Sequence, residues 1–158
     1  MGYEAAVFLP DEDATTRLGE AIAPFLRPGD TILLEGQIGA GKTHFVRSVI
    51  RALLRPGKGH EIDVPSPTYT LVQTYHALGV TVWHADLYRL ADSSEVAELG
   101  LDEAFQSAIV LVEWPDRLED PPGNALTLRF DVQNEGRMAT FASPSSHWKI
   151  LDNAIVDL

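Results

Sequence analysis

The sequence predicts an α/β protein: a mostly parallel central sheet flanked by helices, with antiparallel C-terminal strands at an edge. Three observations predict it. Apolar runs of strand length alternate with stretches of helical periodicity through the first two thirds of the chain. A glycine-rich loop, Gly36 to Thr43, stands between one such run and one such stretch. The last third carries two alternating segments joined at Asn134-Glu135-Gly136, the pattern of a hairpin. The 158 residues suit one domain, 1–158, long enough to bury a core.

The elements follow in order. Asp11 can cap a helix that runs to about Leu26, with Ala14, Leu18, Ala21, Ile22 and Phe25 on one face and Pro24 loosening the last turn. Arg27-Pro28-Gly29-Asp30 reads as a turn and Thr31 to Leu34 as a short strand. After the glycine loop, a helix from about Lys42 to Leu54 buries Phe45, Val46, Val49, Ile50 and Leu53. Pro56 to Pro67 reads as a loop, and Tyr69 to Tyr75 and Val80 to His84 as strands turning at Ala77 to Gly79. Ser93 or Ser94 can cap a short helix through Leu99, closed by Gly100. Ala108 to Val112 is continuously apolar, which predicts a strand covered on both faces. Leu126, Leu128, Phe130 and Val132 alternate with polar residues, and Met138 to Ala142 can pair back against them. Trp148, Leu151, Ile155 and Leu158 predict a closing helix.

Composition excludes several classes. There is no cysteine, hence no disulfide and no thiolate metal site. No apolar run reaches membrane-spanning length, and Met1 to Leu9 lacks the pattern of a signal peptide, so a soluble cytoplasmic protein without membrane contact is expected. The net charge of −11 opposes attraction to nucleic acid, so any RNA would have to be held by another chain.

Gly36, Gly41, Lys42 and Thr43 fit G-x-x-x-x-G-K-[ST], the phosphate-binding loop. Glycine tolerates the positive φ that turns backbone N–H groups inward, and these join the following helix N-terminus in an anion nest. Lys42 can neutralise the outer phosphates, and the Thr43 hydroxyl can ligate Mg²⁺, a hard cation that prefers oxygen. A guanine-specific [NT]-K-x-D element would need a lysine, and neither Lys58 nor Lys149 fits it, so ATP is favoured over GTP. Such a nucleotide also needs carboxylates for Mg²⁺ and for orienting water. Asp86 and Glu113 each follow an expected strand, at the carboxyl end where open α/β sheets place ligands. Glu95, Glu98, Asp102 and Glu103 read as solvated helix faces. Ser66-Pro67-Thr68 reads either as a γ-phosphate sensor of the switch-loop kind or as a plain turn. His44, His60, His76, His84 and His147 lack metal-ligand spacing and read as structural or surface residues. Arg47, Arg51 and Arg55 form an i, i+4, i+8 stripe that reads as a solvated face, with partner contact as the alternative.

The loop Gly36-Gln37-Ile38-Gly39-Ala40-Gly41-Lys42-Thr43 is followed by Ser66-Pro67-Thr68-Tyr69-Thr70-Leu71-Val72, His84-Ala85-Asp86-Leu87-Tyr88-Arg89-Leu90 and Leu111-Val112-Glu113-Trp114-Pro115. In this order the four segments resemble the bacterial TsaE (YjeE) family of P-loop NTPases. Asp11-Glu12-Asp13-Ala14-Thr15 and Gly136-Arg137 are similar to it as well. The resemblance implies an ATPase component of the machinery that makes N6-threonylcarbamoyladenosine in tRNA. Such a component works with TsaB and with TsaD, which transfers the threonylcarbamoyl group, and meets tRNA only through that complex. The implied cofactors are ATP or ADP and Mg²⁺, with turnover slow alone and stimulated by partners.

By the same resemblance, Gly39, Ala40, Gly41 and Lys42 bind phosphates, and Thr43 and Glu113 hold Mg²⁺. Asp86 positions the metal shell or the attacking water, so that Lys42, Asp86 and Glu113 form the catalytic set. Thr15 falls near adenine or ribose, Trp114 and Arg137 line the nucleotide site, and Thr68 takes the switch-like role. His44 is grouped with the loop among the nucleotide-binding residues. The chain departs from the family at Gln37 and Ile38, commonly an acidic residue and leucine, and at His44, commonly threonine. The competing readings are a small-molecule P-loop kinase, with Lys58 and His60 in its lid, and a binding module switched by nucleotide occupancy alone.

Overall fold

The computed structural model describes residues 2–54, 64, 67, 71–77, 79–90, 93–156 and 158. Its seven strands are β1 (Tyr3–Leu9), β2 (Thr31–Glu35), β3 (Val72–Ala77), β4 (Val80–Asp86), β5 (Ile109–Glu113), β6 (Leu126–Gln133) and β7 (Gly136–Ser143). They form one sheet in the order β1-β7-β6-β2-β5-β4-β3. The centre is parallel: β2 pairs with both β5 and β6, and β5 with β4. Every residue of β5 is buried, as a strand covered on both faces requires. Antiparallel pairs complete both edges, β3 on β4 at one side and β6-β7-β1 at the other.

The sheet separates two apolar layers. On one face, Ile32, Leu34, Val82, Ile109, Leu111, Leu126 and Leu128 pack with α1 (Glu12–Ile22) and α2 (Lys42–Leu54). Phe45, Val46, Val49 and Ile50 of α2 are fully buried there, each worth on the order of 2 kcal/mol relative to exposure. On the other face, Leu33, Ala85, Val110 and Val112 pack with Leu101 and Ala104 of α3 (Leu101–Ser107). Strand residues two apart share a face. The register Val82↔Ile109, His84↔Leu111 and Asp86↔Glu113 therefore carries His84, Asp86 and Glu113 onto the α1/α2 side.

Local signals account for the element ends. Asp11 caps α1 by accepting from the Ala14 amide at 2.9 Å. The helix stops at Ile22, and Ala23–Phe25, containing Pro24, tightens into a 3₁₀ turn before Leu26. Gly19 lets α1 approach α2, since a Cβ there would lie 2.6 Å from the Ser48 Cβ. Gly100, at φ +81°, joins the 3₁₀ segment Ser93–Leu99 to α3 as that helix's N-cap. The closing element is a 3₁₀ segment, Ser146–Leu151, followed by the short α4 (Asp152–Val156), while Leu158 lies 41% exposed. Trp148 anchors it, buried and donating to the Asn124 carbonyl at 2.7 Å.

β1 has no counterpart among the sequence expectations. Only its ends, Tyr3 and Leu9, are buried, and Ala5 and Ala6 leave its alternation faint. Its pairing with β7 ends at Leu9↔Arg137, which brings the start of α1 beside the β6–β7 turn. Among the described residues, no helix is long and apolar enough to cross a membrane.

Candidate nucleotide site

β2 ends at Glu35 and α2 begins at Lys42, so the glycine loop spans the carboxyl end of the central strand. Gly36 turns the chain at φ +138° against the Phe130 carbonyl, leaving 2.6 Å for a Cβ. Gly39 and Gly41 hold φ +82° and +113°, and a Cβ on either would meet nothing within 4 Å. Both glycines thus border open space, and both line the recesses described below. The side chain of Gln37 is exposed, and its carbonyl accepts from the Ala40 amide at 3.0 Å. The loop thus uses the backbone of Gln37, and Ile38 stands 70% exposed at its tip.

Lys42, Asp86 and Glu113 are 5%, 6% and 2% exposed, so three ionisable groups share a nearly dry strand end. The Lys42 ammonium donates to the Gly36 and Gln37 carbonyls and lies 3.7 Å from the centroid of the Trp114 ring. Burial lowers its pKa, and Glu113, Asp86 and Asp116 oppose that shift. Burial raises the pKa of Asp86, reinforced by Glu113 and opposed by the Tyr88 amide, which donates to Asp86 at 3.1 Å. Thr43 donates its hydroxyl to Glu113 Oε1 at 2.7 Å. Two carboxylates thus face one lysine beside a hydroxyl, an oxygen-rich and acidic donor set that fits a hard divalent cation. Among the described residues, no cluster of three His, Cys, Asp or Glu side chains could hold a metal. A cation at Thr43 and Glu113 would therefore draw further ligands from phosphate or water.

Two recesses meet at the loop. One, of about 1110 Å³, is bounded by Lys42, Thr43, Asp86, Glu113, Trp114 and Tyr88. The other, of about 530 Å³, is bounded by Asp11, Thr15, Ala40, Glu135 and Arg137. Glu12, Gly39, Gly41 and His44 border both. Arg137 reaches across from β7 to brace the loop, donating to the Ala40 carbonyl at 3.0 Å and the Gly39 carbonyl at 3.2 Å. His44 is held by Thr16 Oγ1 at 2.8 Å. Trp114 sits at φ +60°, where its ring reaches both Lys42 and Tyr88, the latter at 4.8 Å between centroids.

The structure thus gathers Thr15, Gly39, Ala40, Gly41, Lys42, Thr43, His44, Asp86, Glu113, Trp114 and Arg137 around one loop. Thr68, Lys58 and His60 lie outside the described residues. One expectation changes. Arg47 is half-buried, borders the wider recess and donates to the Val64 carbonyl at 2.8 Å, because it lies one helical turn after Thr43 on the cleft side. That i, i+4 spacing was the signal for it. Of the two readings of His84, structural or surface, the first holds: it is fully buried and engages Glu113 Oε2 at 2.6 Å. Asp11, Glu12, Tyr88 and Glu135 also border the recesses without having been singled out for a site. Tyr88 carries a signal in its spacing of two from Asp86, and Asp11 and Glu12 in the segment that leads to Thr15.

A glycine-rich loop joining the central parallel strand to a buried helix defines a P-loop protein. Comparison with known proteins agrees. The family described as "Threonylcarbamoyl adenosine biosynthesis protein TsaE" matches residues 9–139. The tRNA threonylcarbamoyladenosine biosynthesis protein TsaE of Rickettsia felis is 35% identical over 149 residues, 92% of this chain and 84% of that one. Its Bacillus subtilis namesake is 38% identical over 145 residues, 90% of this chain and 86% of that one. The crystal structure of Bacillus subtilis YdiB superposes with a TM-score of 0.75 at 25% identity, covering 99% of this chain and 97% of that one. The chain belongs to the TsaE family, whose members are named for threonylcarbamoyladenosine biosynthesis in tRNA.

Proposed function

We propose that this chain binds ATP across the Gly36–Thr43 loop and hydrolyses it with Mg²⁺, in the service of tRNA threonylcarbamoylation, by acting on TsaB and TsaD partners. The observation that carries the reading is the placement of Lys42, Thr43, Asp86 and Glu113 in one recess, continuous around the loop with a second recess at Thr15, His44 and Arg137. The first suits a polyphosphate and its metal, the second a nucleoside.

The loop amides and the start of α2 donate to phosphate oxygens. Lys42 exchanges its bonds to the Gly36 and Gln37 carbonyls for the outer phosphates. Thr43 and Glu113 would hold Mg²⁺. When bound, the ion neutralises phosphate charge and polarises the phosphoryl group. Asp86, whose buried carboxyl is pulled upward in pKa, orients the attacking water or the water shell of the metal. Arg137 keeps the loop carbonyls turned away from the cradle. With a net charge of −11, the chain leaves contact with tRNA to its partners.

The test is reconstituted modification with purified TsaB, TsaD, an enzyme supplying the threonylcarbamoyl donor, tRNA and ATP. Multiple turnovers are expected only with this chain present, with ATP hydrolysis weak alone and raised by the partners. Unchanged multi-turnover modification in its absence would refute the proposal.

A further inference from the structure

We propose that His84 is a positioning residue: its imidazole holds one oxygen of Glu113 so that the other stays at Thr43, where a divalent cation would be taken. The inference rests on the Mg²⁺-nucleotide reading above and assigns a task to a residue that does not border the recess.

The geometry divides the Glu113 carboxylate in two. Oε2 lies 2.6 Å from His84 Nε2, and Oε1 accepts from the Thr43 hydroxyl at 2.7 Å. The imidazole is fully buried and, among the described residues, its Nδ1 has no hydrogen-bond partner and its one bond is to Glu113. An ionised Glu113 accepts only, which fixes the ring hydrogen on Nε2. On the same sheet face His84 has the buried apolar neighbours Val82 and Leu111 on one side and the polar Gln73 and Asp86 on the other. The imidazole thus stands where the apolar layer gives way to the polar end of the strands, with its Nε2 on the carboxylate. With that donor gone, the carboxylate could rotate, and a buried oxygen would be left without a partner. Hydrogen-bond partners behind a ligating carboxylate commonly govern metal affinity by about 10- to 100-fold. His84 is absent from the lining of either recess, and the hydrogen bond it makes toward the site is to Glu113.

The experiment measures ATP affinity by calorimetry on the full chain, with excess Mg²⁺ and with EDTA. The proteins are wild type, His84→Gln, His84→Asn and His84→Leu. Glutamine carries an N–H near the place of Nε2, asparagine falls short of Glu113, and leucine removes the donor at similar volume. In EDTA all four are expected to agree within about twofold. The gain in affinity on adding Mg²⁺ is expected to persist in His84→Gln and to fall by about tenfold or more in His84→Asn and His84→Leu. If the leucine variant fails to fold, the glutamine and asparagine pair carries the same comparison. A wild type whose affinity ignores Mg²⁺ would overturn the Mg²⁺-nucleotide reading and this inference with it. A Mg²⁺-sensitive wild type matched by His84→Asn would overturn the role of His84 alone. Equal weakening in EDTA and in Mg²⁺ would overturn it too, since that is the mark of a merely structural histidine.

Discussion

Gly36 and Gly39 stand three residues apart in one loop, yet alanine should affect them very differently. At Gly36 the methyl would meet the Phe130 carbonyl at 2.6 Å and the Ala40 Cβ at 3.3 Å, with φ at +138°. Holding a non-glycine residue in that backbone region costs about 1–3 kcal/mol. Forcing a methyl against the β6 backbone adds about 1–3 kcal/mol of overpacking. Gly36→Ala should therefore lose about 2–6 kcal/mol, a large part of the roughly 5–15 kcal/mol that stabilises a typical domain. At Gly39 a methyl meets nothing within 4 Å, so only the left-handed φ of +82° counts, about 1–2 kcal/mol. Urea titration followed by tryptophan fluorescence gives both values, with Trp148 as a buried reporter of the core. Gly39 borders both recesses, so Gly39→Ala should keep its fold and lose nucleotide affinity. Equal stability losses, or Gly39→Ala as the costlier of the two, would refute the assignment of Gly36 to close packing and Gly39 to the open cradle.

Two further outcomes follow from the same geometry. The pKa of Asp86 is raised in the folded protein, chiefly by burial, so the native state holds its proton to higher pH than the unfolded chain does. Stability should consequently fall as pH rises through that window, and Asp86→Asn should remove this slope and melt higher at neutral pH. Thermal melts of both proteins from acidic to neutral pH check this, and an Asn variant that melts lower at neutral pH would contradict it. Asp11→Ala removes the acceptor for the Ala14 amide and should cost about 1 kcal/mol in urea unfolding, with Asp11→Ser restoring most of it.

The parts legible in the sequence are those where one strong local cause acts. The apolar periodicity of α2 specified Lys42 to Leu54, the range observed, and the run Ala108 to Val112 marked a buried central strand. The carboxylates were found through the general preference of ligands for strand ends, and the register Asp86↔Glu113 places them side by side. β1 was not legible, because half-exposed alanines carry little period-two contrast and the strand is held by its pairing with β7. The same limit hid the environment of His84. That environment is decided by the residue two places further along the neighbouring strand, which spacing within one segment does not reveal. The contact of Arg47 with the Val64 carbonyl is likewise hidden, because helical spacing shows which residues share a face but not what that face meets.

The central claim is that Gly36 to Thr43 cradle a nucleotide whose outer phosphates are met by Lys42. Calorimetric titration of ATP with Mg²⁺ into wild type and Lys42→Ala tests it most directly, with circular dichroism confirming that both are folded. The expected result is saturable binding by wild type and none measurable for the variant. Equal affinity in the two proteins would contradict the claim.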